Sequence, residues 1–115
     1  MEKLQDFMLL FRFTPDFSHQ PTDAEMTSQK QLWGSWISGI AMQAKLVSTS
    51  QLGFEGRQLQ ADLSVKDGIH ITASQTLGGN MILKAQDFDE ALSLAKGCPI
   101  LGMGGTVEIR NILPM

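Results

Sequence analysis

One cysteine, two histidines and nine lysines and arginines are all that this chain of 115 residues offers in those three classes. Cys98, standing alone, can form neither an internal disulfide nor a multi-thiolate metal site. His19 and His70 lie far apart and have no paired thiols beside them, so no zinc-binding spacing is present. The basic residues are scattered through a chain of net charge -3 and pI near 5.2, which argues against nucleic acid as a partner. No apolar run approaches the roughly 20 residues that span a bilayer. The opening Met1-Glu2-Lys3-Leu4-Gln5-Asp6 lacks the basic and apolar regions of a signal peptide. Together these absences point to the cytoplasm. Gly102-Met103-Gly104-Gly105 leads into a strand rather than a helix, so it reads as a turn and not as a phosphate loop, and no cofactor motif stands elsewhere.

What is present is an ordinary globular composition, 43% hydrophobic and 18% charged, in a length that fits a single domain over residues 1–115. Residues 5–13 alternate as a strand, with Phe7, Leu9, Phe11 and Phe13 on one face and Met8, Leu10 and Arg12 on the other. Both faces are mainly apolar, so both call for a cover. Thr22 with Glu25 matches a capping box, and the helix it opens runs to about Gln43 with Trp33, Trp36, Ile37 and Ile40 at helical spacing. Gly34 and Gly39 within it suggest close approach of another backbone. A short strand at 46–50 follows. A hairpin is predicted from 58–65 and 69–72, turning at Lys66-Asp67-Gly68. A strand over 80–85 leads to a second helix opened by Asp87 and Glu90, with Gly97 in a left-handed position at its end and Pro99 beyond it. The last strand is 106–112. The sum is α+β, a split β-α-β pattern with an added hairpin.

Several ordered pieces of this chain resemble the YCII-related family in its DGPF-domain branch. They are Phe11-Arg12, Trp33-x-x-Trp36-Ile37, Ala44-Lys45-Leu46-Val47, Gly78-Gly79, Asp89-Glu90-Ala91, Ala95-Lys96-Gly97-Cys98-Pro99 and Gly104-Gly105-x-Val107-Glu108-x-Arg110. The resemblance implies a ferredoxin-like fold that pairs as a homodimer into an α/β barrel with a cavity between the sheets. It also implies enzymatic roles built on a His-Asp pair, lactone dehalogenation among them, although most of the DGPF branch has no established reaction. The Asp-Gly-Pro-Phe signature itself is missing: Ala73-Ser74-Gln75-Thr76-Leu77 stands in its place, so the signature loop is truncated and its Asp absent.

Five residues carry the chemical reading. Arg12 can grip a carboxylate through parallel hydrogen bonds, or it can form a structural ion pair with Glu108 or with a partner chain. Glu108 and Arg110 share a face of the last strand, either as a ligand-orienting cluster in which Glu108 is a general base or as a salt-bridge network at a dimer interface. His70 is the better acid–base candidate of the two histidines, or it simply faces solvent. Trp33 can line a ligand pocket or belong to the core. Cys98, near a helix C-terminus that disfavours a thiolate, does not read as a nucleophile. The resulting expectation is a small enzyme-like protein binding a small organic anion. The alternative is a non-catalytic binding or regulatory module.

Overall fold

The computed structural model describes residues 3–16 and 18–114; Phe17 of the predicted 14–21 loop, and Met1 and Glu2 of the N-terminal reading, lie outside them. The elements run β1 (Gln5–Phe13), α1 (Asp23–Met42), β2 (Leu46–Gln51), β3 (Arg57–Leu59), β4 (Val65–Asp67), β5 (Thr76–Ala85), α2 (Phe88–Ala95), a 3-10 turn (Pro99–Met103) and β6 (Thr106–Asn111). Four strands make one antiparallel sheet in the order β2-β5-β1-β6. Each split unit leaves a gap that the other unit's first strand fills, which is the ferredoxin-like arrangement. The long central strands β1 and β5 are the two residue runs richest in alternating large side chains.

Both helices and the 3-10 turn lie on one sheet face. Phe7, Leu9, Met81 and Leu83 are fully buried there, and the core extends to Phe11, Ile40, Ala91, Ala95 and Ile100. Complete burial of each large side chain contributes about 1.5–3 kcal/mol. The molecule is a slab 48 × 43 × 20 Å, two layers thick, and among the described residues no layer covers its second sheet face. Met8, Leu10 and Ile82 stand in the middle of that face, each half-buried.

Side chains set the helix ends. The Thr22 hydroxyl accepts the Glu25 N–H at 3.1 Å, and the Glu25 carboxylate reaches back to Thr22, with Oε1 3.3 Å from the hydroxyl, while its Oε2 lies 3.0 Å from His19 Nε2. Asp87 caps α2 by accepting the Glu90 N–H at 2.9 Å. Gly97, expected in a left-handed conformation, does not take one; Gly104 (φ 80) does, and it closes the 3-10 turn. Gly97 instead gives room, since a Cβ there would meet Trp36 Cδ1 at 3.0 Å. The expectation of close packing at Gly34 and Gly39 is also corrected, because no atom of the described residues comes within 4 Å of a Cβ at either.

The added hairpin is present but lies earlier than predicted. The Asp62 carboxylate accepts both the N–H (2.9 Å) and the hydroxyl (2.6 Å) of Ser64, and Gln60 N–H bonds Ser64 O at 2.8 Å. That local competition for the backbone moves the turn to 60–64 and pairs Arg57–Leu59 with Val65–Asp67. Asp67-Gly68 still bends the chain, with Gly68 at φ 95, but at the hairpin's exit. Residues 69–72 are not a strand. A two-residue link follows instead: Thr72 and Gln75 exchange backbone hydrogen bonds of 2.9 and 3.0 Å around Ala73 (φ 52) and Ser74 (φ 65). β5 therefore begins at Thr76 rather than residue 80, and it occupies the place of the signature loop. Gly78 is the extra residue of a β-bulge opposite Phe11 and Arg12, and a Cβ on Gly79 would lie 2.6 Å from Ser50 O.

Candidate functional site

The uncovered sheet face collects Arg12, Glu108 and Arg110. Strand register does this: Leu10 pairs with Glu108 and Met8 with Arg110, so β6 presents both side chains beside β1 on the face opposite the core. Arg12 Nη1 donates to Glu108 Oε1 at 2.6 Å, and Arg110 Nη1 stands 3.5 Å from Glu108 Oε2. Two guanidinium groups thus share one carboxylate. The Arg12 hydrogen bond, followed by the charges of Arg12 and Arg110, holds the Glu108 carboxyl below its ordinary pKa against a smaller opposing effect of burial. Glu108 is therefore a firmly ionised acceptor and a correspondingly weak base. Arg12 is held from the other side as well, for Gly105 packs under its carbonyl and a Cβ at Gly105 would come within 2.5 Å of Arg12 O. Farther along the same face Lys84 Nζ bonds Asp6 Oδ1 at 3.0 Å, a pair visible only once β1 and β5 are put in register.

His70 and Trp33 lie apart from this cluster. His70 is on the segment leading to β5, where its carbonyl accepts the Thr76 hydroxyl at 2.8 Å and its Nε2 meets the Thr72 hydroxyl. It lines an open crevice of about 360 Å³ with Glu55, Arg57, Gln58 and Leu77. Leu77 is the register partner of Arg12, so crevice and cluster adjoin at one end of the sheet, but His70 and Glu108 share no hydrogen bond. Sequence reading does not single out Glu55, Arg57 or Gln58, because their approach to His70 depends on how the hairpin leaves the sheet. Trp33 lies on the helix side, edge-on to Phe11 at 5.3 Å and to Trp36 at 5.8 Å, packed against the core. Cys98 is buried in the same layer, which pushes its thiol up to about 11. Among the described residues no group of three metal-ligating side chains converges, and no helix is long and apolar enough to cross a membrane.

Many of the ordered sequence pieces turn out to meet one another. Lys45 Nζ bonds Glu90 Oε1 at 2.9 Å, with both side chains mostly buried, tying the start of β2 to α2. Trp36 Nε1 donates to Leu94 O at 2.9 Å while Gly97 makes room for the ring. Arg12 meets Glu108, and Gly105 supports Arg12. The pieces are thus largely the joints of one architecture.

A four-stranded ferredoxin-like sheet, with helices on one face and apolar and charged side chains on the other, defines a small α+β domain. The chain belongs to the YCII-related domain family, whose model matches residues 7–115. No curated protein matches the chain.

Proposed function

We propose that this YCII-related protein binds a small organic anion on the uncovered sheet face and that a second copy of the chain covers the face to form the cavity. The observation that carries this reading is the sharing of Glu108 by Arg12 and Arg110. A guanidinium has five N–H donors, and each of these spends one on Glu108, so the remaining donors are open to a ligand carboxylate. Met8, Leu10 and Ile82 offer an apolar floor for the rest of a small molecule. In this arrangement Glu108 orients the guanidinium groups rather than moving a proton.

A catalytic reading rests on His70. Its position in the crevice beside Leu77 would let it exchange a proton with a ligand extending from Arg12 toward that end of the sheet. The test of binding is isothermal titration with straight-chain mono- and dicarboxylates from acetate to adipate. Binding that weakens at least tenfold in Arg110→Ala and in Arg12→Ala supports the anion site. Absence of binding by the native protein, or affinity unchanged in both variants, rejects it. Hydrolysis of simple lactones that is lost in His70→Ala would place the protein among enzymes; carboxylate binding without turnover would leave it a binding module.

A further inference from the structure

The β3–β4 hairpin is a second, separate two-stranded sheet, and among the described residues it makes few contacts with other elements, meeting the main sheet at its base, where Arg57 and Gln58 share the crevice with Leu77. Its register places Arg57, Leu59, Val65 and Asp67 on one face, with Leu63 at the tip. Leu59, Leu63 and Val65 are 69%, 77% and 60% exposed. An isolated two-stranded hairpin is marginal in water and needs something to pack against. Leu63 adds a second anomaly, since it holds φ 71, a conformation that costs a branched L residue about 1–2 kcal/mol. Strain with an apolar side chain aimed at solvent marks a contact made with something else. The arm also shapes the whole molecule: the radius of gyration is 15.9 Å, against about 13 Å for a compact chain of this length.

We infer that the β3–β4 arm is a clasp for a second copy of this chain, laying Leu59, Leu63 and Val65 against the partner beside its open sheet face and forming a wall of the partner's anion site. This rests on the pairing put forward above. Two features single out a second copy as the occupant. The chain itself carries an uncovered apolar surface of matching chemistry, Met8, Leu10 and Ile82. The charges also complement: the arm has Glu55, Asp62 and Asp67 against Arg57 and Lys66, whereas the sheet face has Arg12, Lys84 and Arg110 against Asp6 and Glu108. With Glu55 at its root the arm carries one net negative charge, and the face carries one net positive charge, so the two attract. Because each copy supplies one arm and one face, the contact is reciprocal and closes at two copies.

Sedimentation equilibrium over a concentration series tests the clasp with two substitutions at exposed positions. Leu63→Asn suits a positive φ, so it should leave the fold as stable or more so while raising the dimer dissociation constant at least tenfold. Val65→Lys, which opposes the basic face, should do the same, with an unchanged far-UV spectrum. A native protein that remains monomeric at tens of micromolar overturns the inference, and so does a dimer that both variants leave intact. Carboxylate titration of Arg110→Ala separates this from the anion reading: a monomer that still binds carboxylate through Arg110 rejects the clasp alone. A dimer weakened by the arm variants but indifferent to carboxylates retains the clasp as an interface and rejects the site.

Discussion

The two-residue link at Ala73-Ser74 should be improvable, and by an amount the geometry sets. Both residues hold positive φ, 52 and 65, between the paired Thr72 and Gln75, as a type I′ turn requires. Each non-glycine L residue in that region costs about 1–2 kcal/mol. Replacement by Asn-Gly, the pair this turn favours, removes most of that cost, but the glycine introduced at the second position adds freedom to the unfolded chain and returns about 0.5–1 kcal/mol. The net expectation for Ala73→Asn with Ser74→Gly is a stabilisation of about 1–2 kcal/mol, or a melting temperature higher by about 4–10 °C for a domain of this size. Both side chains are exposed, so no packing change confuses the measurement. Thermal unfolding followed by circular dichroism reads the shift, and amide exchange at Thr72 and Gln75 reports whether the turn survives. Ala73→Val supplies the opposite sign, because a β-branched residue tolerates positive φ least. A double variant no more stable than the native chain, with Thr72 and Gln75 still protected, would refute the claim that strain resides in this link.

The remaining expectations concern the sheet face. A Cβ at Gly105 would press on Arg12 O and on Ile100 Cγ1 at 2.5 and 2.6 Å, so Gly105→Ala should cost about 1–3 kcal/mol in denaturant unfolding. The same substitution should weaken carboxylate binding by displacing Arg12. Glu108 has a folded pKa below its unfolded value, so its stabilising contribution is fully present above the ordinary carboxylate value near 4.5 and is lost as the pH falls through the folded one. Carboxyl NMR titration should show Glu108 ionising below that value in the native protein and shifting upward in Arg12→Ala; an unmoved titration would show that Arg12 is not the cause.

How far the sequence is legible follows from the range of the interactions involved. β1 can be read because Phe7 to Phe13 alternate with Met8 to Arg12, and both helix starts because Thr22 and Asp87 act within three residues. The Arg12–Glu108 pair is one of the two readings the sequence leaves open, since the split pattern already puts the first and last strands side by side. The hairpin departs from its predicted place because two turn signals compete: Asp67-Gly68 is the stronger dipeptide, but Asp62 with Ser64 satisfies more of the local backbone. Gly97 departs for a different reason. Its requirement is set by the Trp36 ring, far back in the chain on the other helix, and no local rule contains that contact. The separation of His70 from Glu108 is equally hidden, because it depends on where the 69–75 segment goes once it is not a strand.

The two outer strands of the main sheet carry a last consequence, for how copies can and cannot stack. β2 is interrupted by a register shift between Leu46 and Ser48 and continues as Ser48-Thr49-Ser50-Gln51, while β6 bears Glu108, Arg110 and Asn111 along its short length. Neither offers the long, flat, apolar rim that recruits a foreign strand and seeds fibre growth. In the pairing proposed above, the surfaces that meet a second copy are the broad face and the hairpin, and both are used up once that copy is engaged. A chain built this way can be sticky at high concentration without polymerising.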